Sequence, residues 1–212
     1  MKRKITLTLT EELLGTKAAN PEVFAAFIAS KHPTGTPQRD ELEKAENKEE
    51  AGTTVFHREN GQPIIYDYQI KGFFKDAASA MNRFDKEYRG GKADKLAAFK
   101  SKIDGALFVF PRMITLKMPE GAKVGVCERP LRAQTPQGER VSVCRSETVP
   151  PGTVIEFDIE ILSAELQAWV ELWLDYGGKR GLGCWRNSGK GRFQFESVEI
   201  KKQKPVAEVE AK

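Results

Sequence analysis

VIEFDIEILSAELQAWVELWLDYGG, residues 154–178, changes its hydrophobic period halfway along. Ile155, Phe157, Ile159 and Ile161 alternate with Glu156, Asp158 and Glu160, the period of two expected of a strand with one buried face. After Ser163, placed to cap a helix, the apolar residues fall at Leu166, Trp169, Val170, Trp173 and Leu174, with Gly177 as the expected stop. The two tryptophans, at helical spacing, read as core. Entered through Pro150-Pro151-Gly152, this strand-then-helix unit implies a mixed fold.

The flanking sequence extends the same plan. ITLTLT (5–10) sets Ile5, Leu7 and Leu9 against Thr6, Thr8 and Thr10 and predicts a first strand. PEVFAAFIASKH (21–32) and QRDELEKAENKEEAG (38–52) predict a charged helical insertion at about 21–52, read as a solvated face. Asn60-Gly61 predicts a turn, followed by a core helix through Ile70, Phe73, Phe74, Ala77 and Met81. A break at Gly90-Gly91-Lys92 precedes a short helix ending near Ile103, and LFVFPRMITLKM (107–118) reads as a strand interrupted by Pro111. RFQFESVEI (192–200) returns as a strand whose parity changes between Phe195 and Val198, which predicts a bulge or a departure from the sheet. The sum is an α+β chain of ferredoxin-like plan, an antiparallel sheet with helices on one face, as one domain over 1–202 with a loose tail at 203–212.

Composition limits the function classes. The 212 residues carry 34 Lys and Arg against 30 Asp and Glu, a net charge of +4 too small to identify a nucleic-acid binder without regard to distribution. No apolar run approaches the roughly 20 residues of a membrane span, so no membrane role is expected. MKRKITLTLT lacks an apolar signal core, and Cys127, Cys144 and Cys184 lack metal-type spacing, so reduced thiols and a cytoplasmic setting are expected. Neither a metal nor a cofactor is implied.

Charge concentrates at GLGCWRNSGKGRF (181–193). Lys179, Arg180, Arg186, Lys190 and Arg192 give a local charge of +5 with no acidic residue between 177 and 192. Gly181, Gly183, Gly189 and Gly191 permit close backbone approach, to a phosphate chain or to a neighbouring strand. Trp185 is a candidate base-stacking residue, and Arg186 is a candidate for stacking or for forking onto phosphate. The blander reading is a mobile connector. The loop follows a helix and precedes a strand, the wrong context for a dinucleotide fingerprint, and the P-loop ending is missing. CERPLRAQTPQGERVSVCRSE (127–147) predicts a basic hairpin carrying Arg129, Arg132, Arg140 and Arg145, suited to RNA, to a subunit contact, or simply to solvent. Glu156, Asp158 and Glu160 make the outer face of the best strand acidic, so binding avoids that face or a basic protein docks there.

GLGCWRNSGKG resembles the glycine-rich loop of the RAMP superfamily, the RRM-like RNA-binding proteins of CRISPR systems, with Lys190 departing from the usual hydrophobic residue. NGQPIIYDYQIKGFFKDA (60–77) is similar to a segment of the repeated CRISPR effector backbone subunits in which leucine-lysine-glycine opens a helix. Ile70, Lys71 and Gly72 take those places, Lys75 stands for a following arginine, and Tyr66, Asp67 and Tyr68 replace a glycine and serines. SETVPPGTVIEFDIEIL (146–162) resembles the stretch in which a glutamate and a Pro-Gly turn lead into a central strand.

The resemblance implies an RRM-like domain gripping single-stranded RNA through its backbone, as one copy within a filament or multisubunit assembly. Lys71, Lys75 and the loop glycines are the inherited contact positions. The expected function is therefore a non-catalytic RNA-binding or assembly subunit. The alternatives are a phage or mobile-element protein that mimics or inhibits such a complex, a single-stranded DNA binder, or a metal-independent endoribonuclease using His32 or His57. The aspartate of target-cleaving relatives has no counterpart between Asp40 and Asp67. His32 and His57 read as ordinary loop histidines, so catalysis is not expected.

Overall fold

In the computed structural model, the structure describes residues 1–19, 53–89, 91, 95–135 and 138–200, giving the backbone only for 89, 131–135 and 139–142. The insertion at 21–52 with His32, the hairpin tip at 136–137 and the tail at 203–212 lie outside the described residues. The strands are β1 (Lys2–Leu9), β2 (Leu13–Leu14), β3 (Lys17–Ala18), β4 (Thr53–Val55), β5 (His57–Glu59), β6 (Gln62–Tyr66), β7 (Leu107–Phe110), β8 (Met113–Lys117), β9 (Gly125–Thr135), β10 (Gly138–Val149), β11 (Val154–Ile161) and β12 (Phe193–Ile200). The helices are α1 (Asp67–Met81), α2 (Phe99–Ala106) and α3 (Ala164–Arg180).

The fold is α+β. A seven-stranded antiparallel sheet runs β12-β1-β11-β8-β6-β5, with β7 also paired to β11. Alternation in β1 and β11 sends Ile5, Leu7, Leu9, Ile155, Phe157, Ile159 and Ile161 into a core shared with Phe74 and Ile70 of α1 and with Trp173, Val170 and Leu174 of α3. A second sheet, β2-β10-β4-β3 with β9 beside β10, contains the expected basic hairpin. Glu147 joins the sheets by accepting from Phe56 N–H (2.9 Å) and Arg58 Nη2 (2.6 Å). The Asn60-Gly61 turn forms with positive φ at both residues, as a two-residue hairpin loop requires.

Three sequence expectations change. Gly177 does not stop α3, which continues to Arg180 and ends at Gly181. Gly177 lies inside the helix because a Cβ there would meet the Phe73 ring at 2.1 Å, so the residue serves a helix crossing. Ser163 occupies the N-cap without a side-chain cap bond. β12 pairs with β1 without a bulge from Leu9↔Phe193 to Lys2↔Ile200. The parity change instead turns Val198 and Ile200 outward and places Ser197 inward, where it accepts a hydrogen bond from Arg3, which also pairs with Glu171 of α3.

The acidic outer face of β11 is neutralised within the sheet. Glu156 pairs with Lys117 (2.6 Å) and Lys4 (3.7 Å), Glu160 pairs with Lys2 (3.4 Å), and Asp158 stands opposite Lys4 in register. The Lys117 hydrogen bond holds the Glu156 carboxyl below its ordinary value.

Candidate nucleic-acid interface

The glycine loop is braced against its own chain. Leu182 N–H donates to Gly191 O (2.8 Å), Gly191 N–H to Glu12 O (2.8 Å), and Thr10 N–H to Arg192 O (2.9 Å). A Cβ at Gly181 would stand 2.2 Å from Lys190 O, and one at Gly191 would stand 2.1 Å from Leu182 O. Of the two approaches left open by the sequence, the structure uses the neighbouring backbone, and the connector is a closed loop. Its short 3-10 turn at Arg186–Ser188 is entered through Trp185 at φ 54°, a left-handed conformation that a bulky side chain adopts only under constraint from its surroundings.

The local charge of +5 is smaller in space than in sequence. Lys179 pairs with Asp175 one helical turn back (2.9 Å), Arg186 with Asp76 of α1 (2.5 Å), and Lys190 with Glu12. Glu12 raises the Lys190 ammonium above its ordinary value, which fixes it as a cation. Two of these three carboxylates are distant in sequence, so composition around the loop does not reveal them. Arg180 bonds the Asn187 side-chain oxygen (2.6 Å), and Arg192 lines an open groove with Thr10, Lys179, Gln194 and Asp175. Neither arginine has an ion pair among the described residues.

Arg129 of β9 comes to the same place from the second sheet. Its guanidinium lies 4.8 Å from the centroid of Trp185 and donates to Ser146 Oγ (3.2 Å). The residue is only 8% exposed, its Nε has no acceptor, and it has no carboxylate partner among the described residues. Beside it, burial pushes the Cys184 thiol above its ordinary value while Arg129 opposes the shift. Cys184 is therefore poorly suited to act as a thiolate. Arg145 of the hairpin pairs with Glu128 (2.7 Å), and the side chains of Arg132 and Arg140 lie outside the described residues.

An apolar pocket of about 290 Å³ lies between α1 and the loop, walled by Leu13, Ile65, Phe73 and Leu182 and edged by Asp76 and Arg186. His57 lines the same pocket from a strand rather than from a loop, in T-shaped contact with Tyr66 at 4.8 Å. Burial, with Lys17 adding to it, lowers its pKa, so the neutral imidazole is favoured.

Lys71 and Lys75 lie elsewhere. With roughly 100° per residue, they project about 200–240° around α1 from Gln69, away from the helix face that meets the loop. Lys71 Nζ donates to Asp104 O (3.2 Å) and sits 5.0 Å from the Phe108 ring centroid, while Lys75 pairs with Asp104 (2.6 Å). The positions implied by the resemblance thus occupy two surfaces. The sequence reading also missed an exposed row of Tyr68, Met113, Phe110 and Phe108. Its signal was LFVF, apolar at both strand parities where one buried face needs only alternate residues.

Among the described residues, no helix is long and apolar enough to cross a membrane. No protein-family model and no curated protein matches the chain. Solved structures do resemble it. A chain in the cryo-EM structure of the type III-B Cmr-beta complex bound to cognate target RNA aligns over 93% of this chain and 60% of its own length, with a TM-score of 0.50 and 11% identity. A chain of a type IV-B CRISPR complex aligns over 97% of this chain and 94% of its own, with a TM-score of 0.48 and 12% identity. This chain therefore spans about three fifths of the first neighbour's length, and what it shares with that neighbour is the fold.

Proposed function

We propose that this protein is a non-catalytic, single-stranded RNA-binding or assembly subunit related to the RAMP-fold backbone subunits of CRISPR effector complexes. The observation that carries this reading is the placing of Arg180 and Arg192, two guanidinium groups with no carboxylate partner among the described residues, around one braced glycine loop that Arg129 supports from its buried side. Guanidinium groups match phosphate geometry, and a loop already fixed by its own backbone loses little freedom when a ligand binds. The shared fold with a chain from an RNA-bound complex supports RNA as the ligand. Recognition is electrostatic and sequence-tolerant, and neighbouring subunits or further copies of the chain complete the assembly.

The test is anisotropy of labelled single-stranded RNA and DNA at low and moderate salt, followed by a gel of the same RNA. Salt-sensitive binding of intact RNA, weakened in the Arg180→Ala/Arg192→Ala variant with the salt slope reduced by up to about 2, is the expected result. Shortened RNA would overturn the non-catalytic assignment. Binding of neither strand by the folded protein would overturn the reading, leaving protein contacts, as for a phage or mobile-element mimic of such a complex.

A further inference from the structure

The outer face of the main sheet follows one rule over most of its area. Outward positions carry Lys2, Lys4, Thr6 and Thr8 on β1 and Glu156, Asp158 and Glu160 on β11, polar side chains facing solvent. The rule fails with aliphatic residues at Val198 and Ile200 of β12, and with aromatic ones along the β7–β8–β6 margin. Phe108 and Phe110 stand opposite Glu160 and Asp158, hence outward, and are 36% and 49% exposed. Met113, 39% exposed, stands opposite Tyr66, and Tyr66 stacks on Tyr68 with centroids 5.3 Å apart and ring planes 14° apart. Tyr68 ends this stack 52% exposed.

We infer that this row is a base-stacking strip for single-stranded RNA, a second contact surface separate from the glycine loop. The inference rests on the proposed RNA ligand and adds how the bases are held. Aromatic faces accept any base by stacking, the recognition mode of proteins that follow a single strand without reading its sequence. Phe108 and Phe110, two residues apart on one strand face, are separated by roughly 7 Å, which lets successive splayed bases meet successive rings.

Cations flank the row. Lys71 lies over Phe108, and Arg112 is exposed between Phe110 and Met113 with no ion pair among the described residues. The Arg112 charge also opposes the rise that burial, Tyr66 and Asp67 impose on the Tyr68 pKa. The β11 carboxylates beside Phe108 and Phe110 do not repel a polyanion at full strength, because Lys2, Lys4 and Lys117 lie among them. Rings interleaved with cations suit a nucleic acid better than an apolar protein surface, which would leave Arg112 desolvated and unpaired. This arrangement also gives Lys71 a role on its own side of α1.

The test uses the full chain with RNA containing 4-thiouridine, photocrosslinked and mapped by mass spectrometry, beside anisotropy of Tyr68→Ala, Phe110→Ala, Phe110→Leu and Phe110→Tyr. Crosslinks at Tyr68 or Phe110 are expected, with affinity reduced roughly 5- to 100-fold by each alanine variant, retained in Phe110→Tyr and lost in Phe110→Leu. The salt slope stays unchanged, whereas the loop-arginine variant lowers it. Salt-sensitive RNA binding with wild-type affinity in the alanine variants would overturn the strip and leave the proposed function standing. Absence of RNA binding in the wild type would overturn both. Concentration-dependent self-association lost equally in Phe110→Ala and Phe110→Tyr would overturn the strip in favour of a protein interface.

Discussion

Arg129 of β9 holds its guanidinium 4.8 Å from the centroid of the Trp185 ring, joining the second sheet to the glycine loop across 56 positions of sequence. The pairing offsets part of the penalty for burying a cation, because the ring face is electronegative. Among the described residues it leaves the charge without a carboxylate and Nε without an acceptor.

Replacing Arg129 with Met keeps the stem's packing and removes the buried charge. The lost cation–π contact and Ser146 bond together oppose the gain, so stability should rise by about 1 kcal/mol, with Tm up by roughly 2–4 °C. Thermal unfolding reads the effect, and a lower Tm would mean that the guanidinium stabilises the fold.

Gly177→Ala sets helix propensity against packing. Propensity favours alanine by about 1 kcal/mol in a helix interior. The new Cβ would meet Phe73 Cε2 and Cζ at 2.1 Å and the Phe193 ring at 3.3 Å. Overpacking of this kind costs about 1–3 kcal/mol, so the variant should be less stable on balance. Urea denaturation measures the sign, and a stabilised variant would show that α1 and α3 can move apart.

Two glycines of the loop should separate strain from contact. Gly189 and Gly191 both have positive φ, 84° and 70°. At Gly189 the nearest atom to an added Cβ is 3.6 Å away on the Arg192 side chain, so Gly189→Ala should cost about 1 kcal/mol for conformation alone. At Gly191 the same methyl group meets backbone at 2.1 Å, so Gly191→Ala should cost about 3 kcal/mol and loosen the loop. Equal losses in chemical denaturation would contradict the braced geometry.

His57 should contribute to acid sensitivity. Burial, with Lys17 adding to it, sets its folded-state pKa below the ordinary 6.5. The unfolded chain therefore binds a proton first as pH falls, and stability contributed by the neutral ring is present above 6.5 and is lost as pH drops toward the folded-state value. The stability difference between wild type and His57→Gln, followed by denaturation from pH 8 to pH 5, should fall on the acid side. A flat difference would remove His57 from the account.

Elements whose periodicity is repeated over several turns or pleats were readable from sequence. Alternation in β1 and β11 and the 3.6-residue stripes of α1 and α3 each record a single buried face, and the structure places those residues in the core. The turn at Asn60-Gly61 and the strand break before Pro111 were likewise local, since φ preference and a missing N–H act within a few residues. Tertiary structure alone decided the rest. Gly177 reads as a stop until Phe73 occupies the space beside it, and Arg186 and Lys190 of the loop read as free until Asp76 and Glu12 meet them from distant elements. Arg129 and Trp185 share no local pattern, and Phe108 becomes exposed because β7 pairs with β11 in one particular register. Spacing along the chain encodes which face of an element is apolar. Which charge meets which carboxylate, and which ring is left facing water, depends on contacts between elements that no local period records.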